Sequence, residues 1–203
     1  GDAIEFANPV TGQSMNTYLA GPANKQGRIA ANNIVLGNKH LYNGSINTAI
    51  VKVFDMTVAT AGTASKHLKL AGINHIVSTN HSGSHAGYYP GAKQMTIQIA
   101  FSPENGRLYS AQIAGYDGVD KRIDILASVI KNKGTIYDLT EFEHAYAPPY
   151  SSAKDPVNMA GFIAENILTD RLNIFYWNDL GDGDDNSYLL DVRTVREFEA
   201  GHI

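Results

Sequence analysis

Two alternating runs separated by a turn signal constrain this sequence more than any other feature. From Met95 to Phe101, Ile97, Ile99 and Phe101 face one way and Thr96, Gln98 and Ala100 the other. From Arg107 to Ala114 the alternation resumes, with Tyr109, Ala111 and Ile113 on one face. A period of two places successive side chains on opposite faces of a strand. Between the runs lies Pro103-Glu104-Asn105-Gly106, a turn signal in a loop longer than two residues. The two runs read as an antiparallel hairpin.

The elements around the hairpin follow from their own signals. A helix is expected from Pro22, a good first helical residue, to Leu36, with Gly37 just past its end. Thr48 to Phe54 reads as a mostly buried strand interrupted by Lys52, and Ala64 to Leu70 as a short helix ended by Gly72. Ile73 to Thr79 is expected as a strand, followed by a Gly- and Ser-rich loop from His81 to Gly91. Val119, Ile123, Leu126 and Ile130 follow helical spacing, with Lys131 and Lys133 near the C-terminal end and Gly134 as terminator. A shorter helix is expected from Asp138 to Ala145, then an extended Ala147-Pro148-Pro149-Tyr150. Asp155-Pro156 is an N-cap with proline at the first helical position, and Met159, Phe162, Ile163 and Ile167 line one face of the helix it opens. Asn178 to Ser187 reads as a polar linker, Tyr188 to Val192 as a strand and Thr194 to Ala200 as a helix start. A lone strand with half a helix makes no core, so residues beyond about 187 read as the front edge of a second domain. The element order predicts an α+β domain with a mainly antiparallel sheet and flanking helices.

Composition excludes several functions. The 203 residues carry 16 basic and 20 acidic side chains, a net charge of −4, and no basic block, so a nucleic-acid partner has no electrostatic footprint. No apolar run approaches the ~18 residues of a membrane span, and no charged-then-apolar leader opens the chain, so a cytoplasmic location without a membrane partner is expected. The absence of cysteine excludes disulfides, zinc-thiolate sites, iron–sulfur clusters and cysteine nucleophiles within these residues. No metal site is expected. His81 and His85 lie in a Gly/Ser loop without a nearby carboxylate, and Asp182-Gly183-Asp184-Asp185-Asn186 fails as a calcium loop, with Ser187 at its sixth position and Arg193 at its twelfth. No G-x-S-x-G, P-loop or G-x-G-x-x-G motif is present.

Two proline-stiffened loops stand out, Tyr88-Tyr89-Pro90 and Tyr146-Ala147-Pro148-Pro149-Tyr150. Tyrosines on rigid loops tend to face a partner or ligand, because the ring packs while the hydroxyl bonds. Ordinary loop packing is the competing reading.

The segment Tyr146-Ala147-Pro148-Pro149-Tyr150-Ser151-Ser152-Ala153-Lys154-Asp155-Pro156-Val157-Asn158-Met159-Ala160-Gly161 resembles a signature of the coenzyme A-disulfide reductase and NADH oxidase branch of the flavin-dependent pyridine nucleotide–disulfide oxidoreductases. Gly1-Asp2-Ala3 resembles the motif that closes that family's FAD-binding domain, where the aspartate bonds the flavin ribityl chain. Leu19 to Arg28 resembles the segment whose helix N-terminus points at the flavin pyrimidine edge. Free N–H groups and the positive dipole end stabilise negative charge on a reduced flavin. Leu189 to Ile203 resembles the opening of a rhodanese domain, short of its cysteine loop.

The resemblance implies a piece of a longer enzyme. Residues 1–44 are expected to end an FAD-binding domain, 45–170 to form a dimerisation domain, 171–187 to link, and 188–203 to begin a rhodanese domain. The implied parent is an FAD- and NAD(P)H-dependent homodimeric reductase of coenzyme A disulfide, coenzyme A persulfide or polysulfide, whose redox cysteine lies upstream of these residues. Cofactor contacts carry over to Asp2 and to the backbone of Ala20, Gly21, Pro22 and Ala23. Two tyrosines acting in the partner subunit's site carry over to Tyr88 and Tyr146, with Tyr89 and Tyr150 as rivals. Lys93 and Lys154 are candidates for coenzyme A phosphates. The alternatives are an isolated, inactive dimerisation module that retains no flavin, and a parent that is a water-forming NADH oxidase.

Overall fold

The alternating hairpin forms the middle of a sheet in a computed structural model that describes residues 1–176, 188 and 190–202. Residues 1–172 make one unit. In it β1 (Phe6–Ala7) pairs with β2 (Ser14–Met15), and α1 (Ala20–Leu36) follows. Next come β3 (Ala49–Val53), β4 (Met56–Gly62), α2 (Ser65–Leu70), β5 (Ile76–Gly83), β6 (Gln94–Phe101) and β7 (Leu108–Gly115). The unit closes with α3 (Val119–Lys131), α4 (Ile136–Thr140) and α5 (Pro156–Leu168). The five long strands form an antiparallel sheet in the order β3-β4-β7-β6-β5. The expected α+β class is the observed one.

The core lies between one sheet face and the helices. Ala59, Ala61, Ile97, Ile99, Phe101, Ala111 and Ile113 are buried with Val119, Ile123, Leu126 and Ile130 of α3 and Val157, Ala160 and Ala164 of α5. Each large aliphatic or aromatic side chain buried this way stabilises the fold by roughly 1.5–3 kcal/mol. Asp155 is the N-cap of α5, as its sequence predicts: its carboxylate accepts the Val157 N–H at 3.0 Å, with Pro156 in the first turn.

Four expectations are corrected and one strand goes unpredicted. Strand β3, read as mostly buried, is the sheet's edge strand and exposes Ile50, Val51, Lys52 and Val53. Strand β4 carries no sequence prediction, because Met-Thr-Val-Ala-Thr-Ala-Gly lacks a strong apolar alternation. Pairing with β3 on one side and β7 on the other makes it a strand. Strand β5 starts at Ile76 and runs to Gly83, so His81 lies in the ladder opposite Thr96 and not in the loop. The expected helix over 138–145 is α4, which ends at Thr140. A capping box places Thr135 as N-cap and Asp138 three residues in, which fixes an earlier start. Helix α1 begins at Ala20, with Leu19 rather than a polar residue at the N-cap.

Residues 173–203 make the second unit. Its described helix, α6 (Val195–Glu199), is capped by Thr194, which takes the N–H of Glu197. Tyr188 and residues 190–192 form no strand. A strand needs a neighbour to satisfy its backbone groups, and the described residues of this unit supply none. The expected linker segment Asn178–Ser187 and the calcium-like run 182–186 lie outside the described residues.

Candidate functional site

Two loops meet at one end of the sheet. The first joins β5 to β6. Its base is closed by the Ser84 N–H to Lys93 O bond (2.8 Å) and the Lys93 N–H to Ser84 Oγ bond (3.1 Å). The second runs from α4 to α5 and turns where the Tyr150 N–H bonds Ala147 O at 2.9 Å. The Ala86 N–H donates to Ser151 O at 3.0 Å and joins the loops.

Across this join the hydroxyls of Tyr88 and Tyr146 lie 3.2 Å apart, although 58 positions separate the residues. Both rings are exposed, Tyr88 at 77% and Tyr146 at 47%. The hydrogen bond with Tyr146, with smaller contributions from desolvation and from repulsion by a Tyr146 phenolate, pushes the ionisation of Tyr88 above the ordinary phenol value. A phenol in that state is a proton donor throughout the neutral range. The rival residues stand outside the pair. Tyr89 packs edge-on against the His85 ring, with centroids 5.7 Å apart, and Tyr150 is exposed. Tyr146 and Lys154 line an open cleft with Phe142, Phe162, Glu141 and Glu143. Two carboxylates there offset the lysine, so the cleft is not an anion trap.

Beneath the loops lies a buried group that the sequence reading missed. Arg122 of α3 is 1% exposed and Asp155 is fully buried. Arg122 donates to the Asp155 carboxylate through Nε (3.2 Å) and Nη2 (2.9 Å), to Ser84 O through Nη2 (2.8 Å) and to Gly118 O through Nη1 (3.1 Å). The Ser151 hydroxyl donates to the same carboxylate at 2.6 Å. Burial alone would raise the Asp155 carboxyl. Bonds from Arg122, Ser151 and the Val157 N–H, with the guanidinium charge, outweigh burial and hold it below the usual carboxylate range. A signal was available: Arg122 is three positions after Val119, on the apolar stripe of α3, where an arginine is buried only if paired.

The residues expected at a flavin edge collect at a different corner. Asn16 Nδ2 donates to the carbonyls of Asp2 (3.5 Å) and Ile4 (3.1 Å), and Gly1 N bonds Gln26 of α1, so the first residues sit against this helix. No side chain caps α1 and no acidic residue occupies its first turn. Of the backbone groups expected at the flavin edge from Ala20 to Ala23, two N–H groups are free of an intrahelical bond. Pro22 has no N–H and the Ala23 N–H is taken by Leu19 O at 3.2 Å, which leaves the exposed Ala20 and Gly21 N–H groups without an intrahelical acceptor. Buried Thr17 Oγ1 and Gln26 Nε2 also lack partners. Two outward donors at a positive helix end fit an electron-rich ring edge.

The sheet order and the helices packed on it define a class. The family model for the pyridine nucleotide-disulphide oxidoreductase dimerisation domain matches residues 48–156, more than half of the chain, and the chain belongs to that family. Among particular relatives, the coenzyme A disulfide reductase of Staphylococcus haemolyticus (strain JCSC1435) is 44% identical over 132 residues, covering 64% of this chain and 30% of that protein. The crystal structure of reduced Bacillus anthracis CoADR-RHD matches 100% of this chain and 37% of that chain, at 45% identity and a TM-score of 0.95. An NAD-dependent persulfide reductase from A. fulgidus matches 87% of this chain and 33% of that chain, at 37% identity and a TM-score of 0.82. The chain thus spans about a third of the length of these relatives. Among the described residues no helix is long and apolar enough to cross a membrane.

Proposed function

We propose that this chain is part of a cytoplasmic FAD- and NAD(P)H-dependent reductase of sulfur–sulfur bonds, acting as a homodimer on coenzyme A disulfide, coenzyme A persulfide or polysulfide. The relatives named as coenzyme A disulfide and persulfide reductases support this over a water-forming NADH oxidase parent. In this reading residues 1–44 end the FAD-binding domain, 45–170 carry the subunit interface, 171–187 link and 188–203 open a rhodanese domain. FAD, when bound, would supply the two-electron relay between the nicotinamide and the redox cysteine upstream of these residues. Asp2 would bond its ribityl chain, and the backbone of Ala20, Gly21, Pro22 and Ala23, chiefly the Ala20 and Gly21 N–H groups, would face its pyrimidine edge.

The observation that carries the reading is the 3.2 Å contact between the Tyr88 and Tyr146 hydroxyls. Either hydroxyl can donate across this contact, and the accepting hydroxyl then has its own proton free to point outward. Cleavage of a disulfide or persulfide releases a thiolate, and a neutral phenol beside it supplies the hydrogen bond or proton that the departing sulfur needs. Exposure of both rings suits residues presented to the site of the partner subunit. The test is turnover of the intact parent with Tyr88→Phe and Tyr146→Phe. Each should lower kcat on the order of 10–100-fold. Full turnover in both variants would overturn the assignment.

A further inference from the structure

The tyrosine contact depends on two loops that neither helix nor sheet holds in register. Tyr88 lies four residues beyond Ser84, and Tyr146 five residues before Ser151. Besides the direct Ala86 N–H to Ser151 O bond, the described side chain that reaches both loop bases from below is that of Arg122, which Asp155 in turn holds. Nη2 of Arg122 donates at 2.8 Å to Ser84 O in the first loop and contacts Ser151 Oγ in the second at 3.4 Å. Asp155 accepts from Arg122 and from Ser151 and caps α5. The guanidinium is fixed from its other side by Gly118 O at 3.1 Å. Gly118 itself has φ +66°, and a Cβ there would sit 2.1 Å from Arg122 Nη1, so the backbone leaves room for this one arginine rotamer.

We propose that Arg122 is a positioning residue for the tyrosine pair: through Ser84 and Ser151 it fixes the spacing of the two loops and thereby the contact between the Tyr88 and Tyr146 hydroxyls. The proposal rests on the reading of that pair as a functional unit. A planar fork of five donors is needed to serve a carboxylate and two carbonyls together. Lysine keeps the charge but has one nitrogen, so it satisfies Asp155 and releases either Ser84 or Gly118. Apolar packing of α3 through Val119, Ile123 and Leu126 is separate from this role and survives the exchange.

The experiment has two arms. In the first, the 203-residue chain is titrated by tyrosinate absorbance, and the difference between wild type and Tyr88→Phe isolates the pair. In folded Arg122→Lys the high-pH ionisation of Tyr88 moves toward that of an ordinary phenol, and in Ser151→Ala, which buries no unpaired charge, it moves the same way by less. An unchanged difference titration in both variants overturns the proposal, and if Arg122→Lys does not fold, Ser151→Ala decides alone. In the second arm, the intact parent is assayed in a double-mutant cycle. Tyr88→Phe should cost about tenfold in kcat with Arg122 present and less than about twofold with Arg122→Lys. A cost of about tenfold in both backgrounds means that Arg122 only stabilises the fold, and overturns the proposal. A Tyr88→Phe change that costs nothing in either background, with a titration that still depends on Arg122, removes the catalytic reading of the pair and leaves the positioning role standing.

Discussion

Arg122 and Asp155 form a two-point ion pair 33 positions apart in sequence, with side chains exposed by 1% and 0%. A carboxylate held below its ordinary range gives stability that is fully present above the unfolded-state value and is lost as pH falls through the folded value. Asp138, held low by the backbone and side chain of Thr135, acts in the same direction. Urea unfolding of the chain should show constant stability from pH 7 to about 5 and a decline below about pH 4. Asp155→Asn keeps an N-cap but leaves Arg122 unpaired in the interior, and should cost about 3–5 kcal/mol at pH 7. A cost under about 1 kcal/mol would show that the pair is replaceable by a neutral bond.

Gly62 closes β4 with φ +81°, and a Cβ there would lie 2.2 Å from Tyr109 O. Its N–H bonds Ile46 O at 2.8 Å, so the strand cannot move away without loss. Gly62→Ala combines strained backbone with a clash against backbone and should destabilise the chain by at least about 2 kcal/mol in denaturant titration. A stability equal to wild type would mean that the β4–β7 approach is looser than described.

The family's dimerisation domain predicts self-association of this chain by itself. Light scattering of the purified 203-residue chain at micromolar concentration should give twice the monomer mass. A stable monomer would locate the parent's interface outside residues 45–170.

In the proposed reading the flavin contacts among the described residues are Asp2 and the free N–H groups at the start of α1, a set too small to retain the cofactor. The purified chain should be colourless and should not oxidise NADH. Yellow protein carrying stoichiometric FAD would refute the view that the main flavin contacts lie elsewhere in the parent. In the parent, Gly21→Asp places a carboxylate beside the free N–H groups and should weaken FAD retention, read as flavin released on gel filtration.

The sequence by itself determined the elements whose signals are local. The hairpin at 95–114 follows from period two, the α3 stripe from helical spacing, and the start of α5 from Asp155 and Pro156, because each signal is set by residues within one or two turns of one another. Tyrosines beside prolines at 88–90 and 146–150 marked the two loops, and the resemblance around Tyr146 to Gly161 implied a role for them. The tertiary structure decided what depends on distant partners. Strand β4 exists because β3 and β7 flank it, and β5 extends through polar Asn80, His81 and Ser82 because β6 offers ladder bonds opposite them. Tyr188 to Val192, read as a strand, lacks such a partner and stays irregular where described. The 3.2 Å meeting of Tyr88 with Tyr146 and the burial of Arg122 against Asp155 are long-range facts of the same kind. Alternation and capping report which face a residue occupies. Only packing brings two loops together and supplies the charge that lets an arginine stay dry.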